Sequence, residues 1–474
     1  MGLNPSKRWD RAGLCLLLSL ILSMALTLTA AGALAASPGS GDAKKGPDAD
    51  KEKTAPLTLE KAYAIAFENN EQVAVSRQKL EQQRQDIAIA TSNLYPQLSA
   101  QAGYTRQKVT DTSSGGMDFD FFDTPRDYGT LTFTLDQHIY QWGKVWSGRQ
   151  IARYYFNSSK FRHIRQVQRI LFNVSTRYYE VLLGRRAIEI AETALERARQ
   201  QLDQAEARFN VGILTKTDVL RARVQVMQSR EELERAKNQY AIARENLALE
   251  LGLESVPASI AEPPEKTLPT SDVAGLFHQA LENRRDYNQA KEQLRLAEER
   301  VDFEQADYFP NLSVECQYTR TNEEDLFYGE REDWQATLKL SYPLFTGWKT
   351  TAEVDKAKAA RMEASSGLSR LEQEIRNDVR SVYLDIQTQK KVIAQLEEQV
   401  KAARRNYKQV TARFEQGLVT AVDQIDAFTA LNEAENRLAQ AYYSYQLDQI
   451  RLKLAIGTFQ TDLAAKELSD DTTQ

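Results

Sequence analysis

Residues able to carry chemistry are sparse in this sequence, and their spacing excludes most of what they could do. His138, His163 and His278 are scattered, with no H-E-x-x-H or other ligand spacing. Ser76 and Lys79 match S-x-x-K, but inside a charged helical run, where the match is chance. Gly143 and Lys144 lack the rest of a phosphate loop. The expectation is a chain with no catalytic constellation, no cofactor and no metal. What remains is electrostatic and conformational. Asp423 and Asp426 lie three apart, hence on one helical face, where two carboxylates either meet solvent or present a paired negative field to cations. Gly212 and Gly417 sit where long helical patterns end, and Thr215 and Thr420 follow as caps for the next helix.

The elements that position these residues are long. No proline occurs between Pro125 and Pro257 or after Pro343, so nothing breaks a helix over about 145–210 or 350–415. Val167, Val174, Val181, Ile188, Leu195, Leu202 and Phe209 repeat every seventh residue, a sustained coiled-coil seam. Ile164, Leu171 and Tyr178, then Ala191, Ala198 and Ala205, form a second seam beside it, with Gly184 near the change of phase. Two seams imply more than one neighbour. At a 1.5 Å rise such a helix spans about 100 Å, more than any globular core needs.

The chain is duplicated. Residues 57–106 align without a gap on 271–320, with 10 identities in 50, and 129–252 align on the sequence 205 positions further on. The seam recurs as Val379, Ile386, Ile393, Val400, Tyr407 and Phe414, and FNVGILTKTDVL falls on FEQGLVTAVDQI. Asp218 and Arg221 stand where the second copy has Asp423 and Asp426. The two repeats are expected at 57–256 and 271–458, joined by a Pro-rich linker at 257–270 and followed by a tail at 459–474. In each, a helix (59–94; 272–308) precedes two strands, a long helix and a return helix (213–252; 418–457). The two shorter helices together nearly match the long one, which predicts that they stack end to end beside it.

Four segments, at about 97–106, 128–137, 311–320 and 333–342, alternate apolar and polar residues. Leu98, Ala100, Ala102 and Tyr104 alternate with Ser99, Gln101, Gly103 and Thr105; Trp334, Ala336, Leu338 and Leu340 alternate with Gln335, Thr337 and Lys339. Their length and two-faced pattern suit strands with lipid on one side and water on the other. Four such strands cannot close a barrel, and open edges are not tolerated in lipid, so chains must associate. The connections at 107–127 and 321–333 are acidic and aromatic, as extracellular loops are.

Lys7, Arg8 and Arg11, the apolar run from Leu14 to about Ala31 and the Ala33-Leu34-Ala35 ending predict an export signal over 1–35. A disordered tether is expected over 36–56. Losing three basic residues and Asp10 with the leader takes the formal charge from −5 to −7, which argues against a nucleic-acid partner. Cys316 would remain as the only cysteine, leaving no internal disulfide.

The duplicated helix, hairpin, long helix and return helix, the LYPQLS and DYFPNLS segments before strands, and ARFNVGILTKTDVLRAR with ARFEQGLVTAVDQIDA at the helix ends resemble the TolC-like outer-membrane factor family across about 57–458. The resemblance implies a mainly α fold with a small transmembrane β part. A homotrimer would form a 12-stranded β-barrel in outer-membrane lipid, continuous with a 12-helix coiled-coil α-barrel in the periplasm. It implies an exit duct for small molecules, served by a periplasmic adaptor (membrane fusion) protein and an inner-membrane efflux pump or ABC exporter. Type I protein secretion uses the same fold, and a non-conducting envelope tether is the reading from a different class. The resemblance places Asp423, Asp426, Asp218 and Phe414 at a pore constriction. It assigns Gly212, Ile213, Leu214, Thr215, Gly417, Leu418, Val419 and Thr420 to adaptor-binding tips. Val419 stands where the family's best-known closed state uses an arginine, so the closed state here must rest on other contacts or be looser.

Overall fold

The structure, a computed structural model, describes residues 56–106, 127–257, 259–263, 272–323 and 330–460. The leader, nearly all of the tether, most of both strand connections, much of the Pro-rich linker and the tail past Gln460 lie outside the described residues.

The dominant elements are two helices of 67 residues, α3 (Lys144–Asn210) and α7 (Lys349–Glu415). Each is about 100 Å long. Val167, Val174, Val181 and Leu195 of the α3 seam are buried, and so are Ile164, Leu171, Tyr178, Ala191, Ala198 and Ala205 of the seam beside it. The helix has several partners: α3 packs against α2 (Glu71–Ser92), the return helix α4 (Lys216–Leu251) and α6 (Arg285–Gln305). The small residues set the closeness of one contact. At Gly184 a Cβ would lie 3.2 Å from the Cα of Tyr240 in α4, tighter than ordinary packing. On α7, Val379, Ile386, Val400 and Phe414 are buried, with the return helix α8 (Ala421–Ala455) alongside.

The single helices expected over 59–94 and 272–308 are each broken. Leu59–Asn69 (α1) is separated from α2 by Asn70, and Val273–Asn283 (α5) from α6 by Arg284. Both break residues are extended, with ψ of 120° and 124°. Neither is glycine or proline; Asn70 caps α2 locally, its Oδ1 accepting from the Gln72 N–H at 2.9 Å, but Arg284 makes no such cap, so a cause common to both lies elsewhere. Each return helix ends in a left-handed glycine, Gly252 (φ 67°) or Gly457 (φ 76°), pressed against the break. A Cβ on Gly252 would sit 2.6 Å from the Asn69 carbonyl oxygen, and one on Gly457 2.6 Å from the Arg284 nitrogen. Asn70 Nδ2 donates to the Glu250 carbonyl (2.9 Å) and Arg284 Nη1 to the Ala455 carbonyl (3.2 Å), the equivalent position 205 residues on. Backbone docks on backbone, and each break belongs to that joint. The shorter helices do therefore stack end to end beside the long one.

Strands β1 (Gln97–Arg106), β2 (Asp127–Tyr140), β3 (Asn311–Glu323) and β4 (Glu330–Ser341) form one antiparallel sheet in the order β1-β2-β3-β4. The register lines up the faces: Leu98 opposes Leu135, which opposes Cys316, which opposes Ala336. One step on, Ala100, Phe133, Tyr318 and Trp334 make the next apolar row, and Ser99, Thr134, Gln317 and Gln335 a polar row between them. A slip of one residue in any strand would mix the faces, so the period-2 pattern enforces this register. β2 and the second hairpin run longer than expected. Thr319 and Thr321, near the start of the anticipated loop, pair with Asp333 and Arg331.

The largest core is built mainly by the first repeat, with Tyr443 and Phe459 joining it from the second. Tyr178 donates to the carbonyls of Leu57 (2.8 Å) and Ala261 (2.5 Å), where Leu57 and Ile260 form a parallel bridge. Burial pushes the Tyr178 hydroxyl well above its ordinary pKa.

Candidate functional site

Two ends of the chain are built for contact with something else: the open sheet, and the tips where α3 and α7 finish. At the tips the same turn occurs twice. Gly212 and Gly417 both have φ of 77°, a conformation that glycine adopts at little cost. Ile213 N donates to Arg208 O (2.9 Å) and Leu418 N to Arg413 O (3.0 Å), closing the last helical turns. Thr215 then starts α4 and Thr420 starts α8, each in a reciprocal cap with the aspartate three residues on. The Thr215 hydroxyl donates to Asp218 Oδ2 at 2.7 Å and that of Thr420 to Asp423 Oδ2 at 2.6 Å. Ile213 and Leu418 are held out into solvent, 65% and 69% exposed, while Leu214 and Val419 are half-buried.

The structure brings the two tips together with residues that the sequence did not single out. Arg208, in the last turn of α3, donates through Nη1 and Nη2 to the Phe414 and Glu415 carbonyls at the C-terminus of α7. Its guanidinium also lies 5.1 Å from the centre of the Phe414 ring. A cation over the exposed carbonyls of a helix end is favoured by the helix dipole. Higher up, Arg197 and Arg404 converge on Glu435 at 3.3 and 2.7 Å, and Gln201 donates to the Tyr407 hydroxyl at 3.1 Å. The one signal available for Arg208 was its place at a helix C-terminus. Arg413 has the same place in the second copy and makes no such contact.

Phe414 is 2% exposed within the single chain, enclosed beneath Arg208. Asp423 and Asp426 do share an exposed face of α8, but the two carboxylates differ. That of Asp423 accepts from the Thr420 hydroxyl and backbone N–H, which hold its pKa below the ordinary carboxylate value. Asp426 makes no ion pair or hydrogen bond among the described residues. Asp218, half-buried, is occupied in its own cap.

Glu304, Asp307 and Glu353 cluster near the foot of the sheet, each beside a cation: Arg300 (2.8 Å), Lys144 (2.5 Å) and Lys349 (3.7 Å). This is an ion-pair cluster.

The sheet explains the rest. Leu98, Tyr104, Trp334, Leu338 and Leu340 stand exposed on its apolar rows, and β1 and β4 each leave one edge unpaired within the chain. No described helix is long and apolar enough to cross a membrane, so the sheet is the element with a lipid-facing pattern. An amphipathic four-stranded sheet on a bundle led by two 100 Å helices defines the class of outer-membrane ducts. The family model described as outer membrane efflux protein matches residues 62–253 and 276–458, once per repeat. The chain belongs to the outer membrane efflux protein family. It is 24% identical over 411 residues to the outer membrane protein TolC of Vibrio cholerae, covering 84% of this chain and 90% of that one. To the alkaline protease secretion protein AprF of Pseudomonas aeruginosa it is 26% identical over 414 residues, covering 85% and 84%. The CmeC outer membrane channel of Campylobacter jejuni shares the fold at a TM-score of 0.74 and 17% identity, over 87% of this chain and 89% of that one. The chain is thus an outer-membrane efflux channel protein with a long helical periplasmic portion.

Proposed function

We propose that three copies of this chain close their sheets edge to edge into a 12-stranded barrel, continuous with a 12-helix duct through the periplasm. The observation that carries this reading is the sheet itself: two-faced along its length, with both outer edges open. An open edge in hydrocarbon leaves backbone groups without partners, each costing several kcal/mol, and β4 of one copy pairing with β1 of the next removes that cost. The duct is passive, with no catalytic role, and exports small molecules driven by an inner-membrane pump through a periplasmic adaptor. Ile213, Leu214, Leu418 and Val419, set on the glycine turns, present the apolar knobs that the adaptor grips. Asp426, beside Asp423, gives the narrow end its negative field and favours cations there. Conductance of the detergent-extracted protein in a planar bilayer, with its mass measured alongside, tests this. Discrete cation-selective channels from a trimer support it; a monomer or dimer that never conducts overturns it.

Similarity to a protease secretion protein keeps a second reading in view, in which the cargo is an unfolded polypeptide. Loss of a secreted protein from the medium on deletion, with drug sensitivity unchanged, would favour it.

A further inference from the structure

Beside the second helix break lies a half-open hollow of about 240 Å³ whose charged lining is mostly arginine. Arg165 and Arg169 reach it from α3, Arg284 and Arg285 from the break and the first turn of α6, and Arg451 from α8. Against these five guanidinium groups stand two carboxylates, Asp286 and Asp378, a net of three positive charges in a chain whose total is −5. Both carboxylates are already engaged. Arg284 binds Asp286 through Nε (3.1 Å) and Nη2 (2.8 Å) and Asp378 through Nη1 (2.7 Å), and Arg165 adds a contact to Asp286 at 3.1 Å.

Three cations are left over. Arg169, Arg285 and Arg451 form no ion pair among the described residues. Burial raises the pKa of Asp448, and Arg451 opposes that only from a distance, without bonding to it. The Nε of Arg285 is buried with no acceptor. Buried donors are almost always satisfied, and one on a charged group is costly to leave bare. The arginines are not needed to make the joint. At the first break Asn70, Glu71 and Gln72 replace Arg284, Arg285 and Asp286, while Asn246 stands for Arg451, and the same glycine docking is achieved. The position equivalent to Arg169 is Glu374.

We propose that this hollow is an anion site, taking a small oxyanion of phosphate or carboxylate type. Arg285, Arg169 and Arg451 are its donors, and Asp286 with Asp378 fixes Arg284 at its wall. Guanidinium forks match both oxyanions in a bidentate manner. The volume lies below the roughly 300–1,000 Å³ of clefts for drug-sized ligands, so the fit is to a free ion or to the charged end of a larger molecule.

The test is calorimetry on the full-length, detergent-extracted assembly, titrated with sodium phosphate, sodium acetate or glucose 6-phosphate against sodium chloride at matched ionic strength. Saturable binding of phosphate or acetate, one per chain, is expected. It should weaken at least tenfold in the Arg285→Gln/Arg451→Gln variant and at least threefold in Arg169→Gln, whose exposed side chain leaves folding intact. Glucose 6-phosphate binding as tightly as inorganic phosphate would identify the end of a larger group as the ligand; phosphate alone would identify a closed ion site. Heats no larger than those of chloride, or binding unchanged in Arg169→Gln and in an Arg285→Gln/Arg451→Gln variant of normal mass and helicity, would overturn the proposal.

Discussion

The two tips have the same backbone and different side-chain fates. Both turn on a glycine at φ 77° and both restart with a threonine–aspartate cap. Yet Phe209 is 42% exposed where its counterpart Phe414 is 2% exposed. Arg208 clasps the neighbouring helix end, whereas the exposed Arg413 clasps none among the described residues, and Arg221 stands where the second copy has Asp426. Local rules of helix termination reproduce the turn wherever glycine and threonine recur. Duplication supplied the scaffold twice, and the departures from symmetry make one tip hold the other.

The largest expected effect comes from breaking that asymmetry. Arg208→Ala removes two charge-assisted hydrogen bonds and a ring contact, about 3 kcal/mol in all, and frees the second tip. A several-fold rise in single-channel conductance at rest is expected, with Arg413→Ala unchanged; equal effects from the two would erase the distinction. Next, Gly212→Val and Gly417→Val force a β-branched residue into left-handed backbone at a cost of at least about 1–2 kcal/mol. Both should reduce efflux while surface levels hold, since both turns are proposed to meet the adaptor. Efflux and adaptor crosslinking that survive both would remove the tips from docking.

Smaller effects sharpen the comparison. Thr215→Ala and Thr420→Ala should each cost about 1 kcal/mol, alike, because the caps are alike. The second cap carries a pH signature. The pKa of Asp423 is lower folded than unfolded, so its contribution is complete above the ordinary carboxylate value and disappears as pH falls through the lower folded one. Thermal melts of wild type and Thr420→Ala should differ most at pH 7, and the difference should narrow only as pH falls below about 4. Smallest in free energy is Asp426→Asn, which should halve cation preference or more while leaving the melting temperature untouched. Reversal potentials that do not move would take Asp426 out of the narrow end.

What was legible follows from periodicity. The seven-residue seam located both long helices to within a residue or so, and the two-residue alternation matches a sheet register whose central apolar rows line up, whereas nearer the strand ends Leu131 opposes Arg320 and Val314 opposes Gln137. The helix breaks were hard to read because the contact common to both is remote: Asn70 bonds to a carbonyl 180 positions away, and its local cap on Gln72 has no counterpart at Arg284. Phe414, as a member of the seam, reads as buried, and within the single chain it is 2% exposed. Arg208 escaped notice because its twin Arg413 has the same neighbours in sequence, and only the packing of one tip on the other separates them.

Gly252 and Gly457, wedged against the helix breaks, act as axial stops. With backbone against backbone at 2.6 Å from a would-be Cβ, neither return helix can slide along its neighbour, so displacement of a tip must be angular. The 36 residues of α4 then make a lever arm of about 54 Å, and a tilt of about 10° at the stop would carry the tip through roughly 9 Å. The stiffness of the joints, set far from the aperture, determines how wide a small tilt opens it.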